Sequence, residues 1–205
     1  MTSSVPPVSR WNLANALTGV RLALVPVFAW LLLDDGGQAT RSRWLAAVVF
    51  AVAVATDRLD GEVARRRGLI TDLGKIADPI ADKVLIGSAL VGLSLLDEVS
   101  WWVTVVILVR EIGVTGVRFA VIRHGVIPAG RGGKVKTAVQ ALAILLLVAP
   151  LSDPGHRVAL GILGLAVLLT VVTGADYLVQ AVRLRALRLS ESVARQGETA
   201  GDGRP

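Results

Sequence analysis

The stretch Asp57-Arg-Leu-Asp60-Gly61-Glu-Val-Ala64-Arg65, followed after eight residues by Gly74-Lys-Ile-Ala-Asp78-Pro-Ile-Ala-Asp82, decides how this chain reads. It sets four aspartates between and inside segments that otherwise have the composition of a membrane interior. Carboxylates are costly in or beside hydrocarbon, so a cluster of them there marks a working site. The spacing supplies a geometry. Asp57 and Asp60 are three apart and Asp78 and Asp82 four apart, so on helices each pair lines one face. Two such helices meeting face to face offer four oxygen ligands to a hard divalent cation, or to two.

The rest of the chain supports the membrane setting. Of 205 residues, 53% are hydrophobic, and the mean hydropathy is +0.63. A soluble domain of this length rarely carries so many long apolar runs. Six apolar segments can be drawn, near 17–33, 44–60, 76–96, 101–122, 136–151 and 158–182. Each approaches the length a helix needs to cross a core of about 30 Å at about 1.5 Å per residue. The first lacks a small-residue cleavage site followed by a polar mature domain, so it reads as a spanning helix and not a signal peptide.

Residues 8–16, with Arg10, Trp11, Asn12 and Asn15, read as a short helix at the headgroup level. The expected organisation is a tail and juxtamembrane helix over 1–16, an all-α membrane domain of six spanning helices over 17–188, and a disordered polar tail over 189–205. No Cys is present, which excludes a disulfide framework and a thiolate metal site. The net charge of +6 would suit nucleic acid, but the basic residues gather at the ends of apolar segments, where they suit a membrane surface instead.

Loop charges orient the chain. Arg65, Arg66, Arg67 and Lys75 lie between the second and third segments, Arg123, Arg131 and Lys134 between the fourth and fifth, and Arg183, Arg185 and Arg188 after the sixth. The 97–100 loop holds Asp97 and Glu98 without a basic residue, and 152–157 holds Arg157 alone. Arg41 and Arg43, set against Asp34 and Asp35, are a partial exception. The balance predicts a multi-pass protein of a bacterial inner membrane with both termini and the aspartates at the cytoplasmic side.

Around the aspartates each residue type has a physical use. Gly61 lets a large ligand approach the helix backbone, and Ala64 keeps the groove open one turn on. Arg65 offers a planar fork to phosphate oxygens. Divalent cations beside an Arg suit a diphosphate, with a carboxylate to deprotonate an attacking hydroxyl. Asp82, last of the series and deepest in its helix, is the candidate base.

The pattern Asp57-x2-Asp60-Gly61-x2-Ala64-Arg65-x8-Gly74-x3-Asp78-x3-Asp82 is similar, at all eight fixed positions, to the signature of the CDP-alcohol phosphotransferases. The resemblance implies six transmembrane helices, a homodimer, a site for two Mg²⁺ or Mn²⁺ ions and CMP as leaving group. Carried over, it makes Asp57, Asp60 and Asp78 ligands of one metal. Asp57, Asp78 and Asp82 become ligands of the other, with Asp82 also the proton acceptor. Gly61, Arg65 and Thr71 match positions that contact the CDP moiety, and Thr18 and Arg21 are expected at the nucleotide or its phosphates.

A second cluster bears on the acceptor alcohol. Arg110-Glu111-Ile-Gly-Val-Thr115-Gly-Val-Arg118 is followed by Gly132-Gly133-Lys134-Val-Lys136-Thr137. Arg110 and Arg118 share a helix face. With Lys134 and Lys136 they form a candidate basic pocket for a phosphate on the acceptor, and Glu111 would orient one of these cations. Both stretches, and the run Asn12 to Arg21, resemble the phosphatidylglycerophosphate synthase branch of the family. The branch implies CDP-diacylglycerol and glycerol 3-phosphate as substrates.

Phosphatidylglycerol or inositol 1-phosphate as acceptor would make the chain a cardiolipin synthase or a phosphatidylinositol-phosphate synthase by the same chemistry. A transporter built on intramembrane carboxylates is the rival from another class, but its sites lie near the midplane between repeated halves, and this chain has none. Asp176 reads either as interfacial or as a partner for a pocket arginine. His124 and His156 have no companions at metal-ligand spacing.

Overall fold

A computed structural model describes residues 13–67, 72–122 and 131–201, with side chains described over 16–57, 80–116, 133, 135–177, 179 and 180. Within these residues the chain is all-helical: α1 Leu13–Leu33, α2 Thr40–Arg67, α3 Asp72–Leu95, α4 Trp101–Ile122, α5 Arg131–Val148 and α6 Asp153–Gly201, with a 3₁₀ turn at Asp34–Gly37.

Local chemistry sets the turns. Asp35, Gly36 and Gly37 all have positive φ, the left-handed conformation that reverses the chain between α1 and α2. A Cβ on Gly37 would come within 2.7 Å of Leu96 Cδ1, so this turn needs glycine for space as well as for φ. Pro150 stops α5, and Asp153 with Pro154 opens α6, each where its missing N–H or its charge suits a helix end.

Every helix contributes to one core. Phe28, Phe50, Leu90, Ile107, Ile144 and Leu163, one from each, are at most 2% exposed. Phe28 and Phe50 meet with ring centroids 5.6 Å apart. α1 packs on both α2 and α3, α3 also on α4 and α5, and α6 on α4 and α5. The first two helices of the aspartate site are therefore bridged by a third. Gly92 lets α1 approach α3: a Cβ there would lie 2.6 Å from the buried Leu32 Cδ2.

Large apolar side chains also face outward on every helix, among them Trp30, Val48, Ile80, Val109, Val135 and Leu168, all at least half exposed. Such a surface calls for lipid. Among the described residues two helices, Ala16–Gly37 and Asp153–Tyr177, are each long and apolar enough to cross a membrane, which fits the membrane setting expected from the sequence.

Three expectations change. Residues 13–16 belong to α1 itself and do not form a separate juxtamembrane helix; 1–12 lie outside the described residues. α2 runs on past residue 60 to Arg67, carrying the whole first half of the aspartate motif on one helix. α6 continues to Gly201, through most of the stretch expected as a disordered tail. Residues 183–200 are rich in Arg, Ala and Leu and hold no proline, so helix propensity persists after hydropathy has fallen.

Arg43 is the main correction to the charge reading. It is 6% exposed, and its guanidinium pairs with Glu98 while donating to the carbonyls of Val148 (2.8 Å) and Leu147 (2.6 Å). A longer contact of 3.4 Å reaches the Gly37 carbonyl. One side chain thus ties α2 to the 3₁₀ turn, the α3–α4 turn and the open carbonyls at the end of α5. Its charge is neutralised internally, which explains how it sits at the end of the molecule opposite the aspartates.

Candidate functional site

The up-and-down helix order brings the start of α1, the end of α2, the start of α3, the end of α4 and the start of α5 to one end of the molecule. All the sequence-predicted site residues lie on these segments or their connections. Asp57, Asp60, Gly61 and Arg65 occupy the last turns of α2, and Asp78 and Asp82 the first turns of α3. The side chains of Asp60, Arg65 and Asp78 lie outside the described residues, as does Thr71. Arg118 on α4 and Lys134 on α5 have described helix positions without described side chains.

Asp57 is held by α1. The Arg21 guanidinium reaches its Oδ1 at 2.6 Å, with Arg21 1% and Asp57 38% exposed. Arg21, expected at the nucleotide, therefore orients a predicted metal ligand. Thr18, one turn before it on α1, is buried too. A guanidinium fixed against one carboxylate oxygen sets the direction of the other.

Asp82 stands across a cavity from the second cluster. The cavity, about 320 Å³, opens between α3, α4 and α5. Its polar lining is Asp82 and Lys83 from α3, Glu111 from α4, and Lys136, Thr137 and Gln140 from α5. Asp82 lies in the field of two negative groups, Asp57 and Glu111, opposed by Lys83 and Arg21. The candidate base and the candidate phosphate pocket thus share one space.

Glu111 organises that pocket. Its Oε1 accepts from Arg110 at 2.9 Å and also from the Lys136 ammonium. Lys136 is 3% exposed, and a buried ammonium needs such a partner. Arg110 itself stands behind Glu111, toward α6, and is not part of the cavity lining. Its second donor bonds Thr173 Oγ1 at 2.8 Å, and it lies over Gly174, where a Cβ would come within 3.2 Å of its Cγ. Asp176 is not its partner: that carboxylate is exposed and accepts from Gln180 one turn on, at 2.8 Å.

Thr173, Gly174 and Gln140 carry no reading in the sequence. The first two act on Arg110 from 63 and 64 residues away, with no local signal. Gln140 had one: it is a lone amide in an apolar run, one turn from Lys136 on the same face.

Among the described residues no three His, Cys, Asp or Glu side chains gather as a metal site. Two of the four expected ligands, Asp60 and Asp78, have side chains outside the described residues. The two whose side chains are described, Asp57 and Asp82, fit a hard cation, since both offer carboxylate oxygen.

A family model described as CDP-alcohol phosphatidyltransferase matches residues 11–172. A probable phosphatidylglycerophosphate synthase of Mycobacterium tuberculosis is 56% identical over 172 residues, covering 84% of this chain and 82% of that protein. A CDP-diacylglycerol–glycerol-3-phosphate 3-phosphatidyltransferase of Bacillus subtilis is 37% identical over 183 residues, 82% of this chain and 93% of its own length. A CMP-forming cardiolipin synthase of Streptomyces coelicolor is 38% identical over 117 residues, 57% of this chain and 54% of its own length.

Proposed function

This chain belongs to the CDP-alcohol phosphatidyltransferase family, and on that premise we propose that it transfers the phosphatidyl group of CDP-diacylglycerol to glycerol 3-phosphate, giving phosphatidylglycerophosphate and CMP. The observation that carries the reading is that Asp82 and the Glu111–Lys136 pair line one cavity. A base and a phosphate-binding cation in one pocket suit an alcohol that carries its own phosphate. The relatives that span most of this chain, named for phosphatidylglycerophosphate synthesis and for transfer to glycerol 3-phosphate, support the same acceptor.

In this reading Asp82 takes the proton of the acceptor's 1-hydroxyl. The oxygen attacks the β-phosphorus of CDP-diacylglycerol, the bond to the CMP oxygen breaks, and the new phosphodiester forms. Lys136, freed in part from Glu111 by the incoming phosphate, holds the acceptor in place, so that proximity supplies much of the acceleration. Arg110 keeps Glu111 from following the lysine, and Arg21 keeps Asp57 aimed. Gly61, Arg65 and Thr71, with Thr18, are assigned to the CDP moiety by resemblance. Arg118 and Lys134 are assigned to the acceptor phosphate.

Asp57, Asp60, Asp78 and Asp82 would hold two divalent cations, Mg²⁺ or Mn²⁺. When bound, these supply charge neutralisation to the diphosphate and its leaving phosphate. The reading includes six membrane crossings, cytoplasmic termini and a bacterial inner-membrane location; the loop charges support the orientation, and the outward apolar side chains on every helix support the crossings. A homodimer follows from the family resemblance alone.

The test is CMP release from CDP-diacylglycerol by purified protein. Release should depend on glycerol 3-phosphate, stop on chelation and return with Mg²⁺. Release that ignores either addition contradicts the reading. Lys136→Met should raise KM for glycerol 3-phosphate by about 10- to 100-fold with a smaller change in the KM for CDP-diacylglycerol. Equal effects on both substrates would place Lys136 outside the acceptor site.

A further inference from the structure

Gln140 is 3% exposed, lines the cavity that holds Asp82 and Lys136, and its Oε1 has no hydrogen-bond partner among the described residues. Buried amides are rarely left so, because removing a polar group from water without a partner is costly. Its surroundings explain neither its presence nor its burial. Ala143, Ile144 and Leu147, at three, four and seven residues beyond it along α5, are all fully buried apolar groups. An apolar residue would suit this level of the helix better, unless something that enters the cavity completes the bond.

The register says what that is. Gln140 lies one turn beyond Lys136 on the same face of α5, a rise of about 5.4 Å to 6 Å. Asp82 and Lys83 stand opposite on α3. A three-carbon acceptor with its phosphate at Lys136 and its terminal hydroxyl at Asp82 has its middle hydroxyl about one helical turn from the phosphorus. Resting on the function proposed above, we propose that Gln140 reads the middle hydroxyl of the acceptor and so selects a vicinal diol phosphate over a simple alcohol phosphate. The amide oxygen accepts from that hydroxyl. Contacts at phosphate, attacking hydroxyl and middle hydroxyl together fix one orientation of the acceptor. A site built to bond a hydroxyl rejects the analogue that lacks it, because its own polar group is then left unpaired.

The probe is 3-hydroxypropyl phosphate, which keeps the phosphate and the attacking hydroxyl and lacks the middle one. Wild-type protein should prefer glycerol 3-phosphate to this analogue by at least about tenfold in kcat/KM. Gln140→Met keeps volume and removes the amide. It should lower kcat/KM for glycerol 3-phosphate by about 10- to 100-fold, leave the analogue within about threefold of wild type, and so erase the preference. Thermal stability in detergent should be unchanged or higher, since no internal bond is lost. Equal losses on both acceptors together with a lower Tm, or an undiminished preference in the variant, would overturn the assignment of Gln140. Absence of wild-type turnover with glycerol 3-phosphate would instead overturn the acceptor reading, and this inference with it.

Discussion

Asp82→Asn will lower kcat for CMP release by about 10²- to 10⁴-fold, the contribution typical of a positioned general base. Asn preserves the shape of the side chain and one oxygen, but cannot take a proton from the attacking hydroxyl. Asp82 sits half-buried in the cavity wall, where the negative fields of Asp57 and Glu111 are opposed by the positive ones of Lys83 and Arg21. Removing its charge relieves repulsion from two carboxylates, so folding should not suffer. The expected signature is therefore a large loss of kcat at unchanged or raised Tm. A variant within tenfold of wild type would move the base elsewhere in the site, and an equal collapse of stability would make Asp82 a structural residue.

The second large effect is on stability, at the opposite end of the molecule. Arg43→Met should destabilise the protein by about 3–5 kcal/mol, the range for removing one partner of a buried ion pair. Glu98 loses its cation, and the carbonyls of Leu147 and Val148 lose their donors where α5 ends. Arg43→Lys should recover little, because a single ammonium cannot serve a carboxylate and two carbonyls at the positions a planar guanidinium reaches. Thermal and denaturant unfolding of the purified protein in detergent would measure both variants. A loss under about 1 kcal/mol for Arg43→Met would mean that the network is an exposed ion pair in energetic terms.

The contrast between these residues explains what could be read in the sequence. The helices were legible because apolar length and charged ends are local properties, and the aspartate pairs because a spacing of three or four is itself a statement about a helix face. Helix ends were less legible: hydropathy stops near residue 60 in α2 and near 182 in α6, whereas the backbone continues to Arg67 and Gly201. Arg43 was hidden by distance, with partners 55 and 105 residues away. It passed as a stray loop charge for that reason.

The candidate site divides the same way. Asp82, Glu111 and Lys136 line one cavity, because their motifs lie on helix ends that the topology brings together. Arg110 does not join them in the cavity, because Thr173 and Gly174 of α6 draw it aside, and nothing in its own helix announces that. Arg21 was expected at the nucleotide and is found on Asp57. An arginine's reach spans either partner, and only the packing of α1 against α2 chooses.

The most direct test of the central claim is a competition. Purified protein is given CDP-diacylglycerol, Mg²⁺ and equal amounts of glycerol 3-phosphate, inositol 1-phosphate and phosphatidylglycerol, and the lipid products are identified by mass spectrometry. The account predicts phosphatidylglycerophosphate as the dominant product, formed in step with CMP. Cardiolipin as the dominant product would keep the carboxylate chemistry and contradict the reading of the Glu111–Lys136 cavity as a site for a small phosphorylated alcohol.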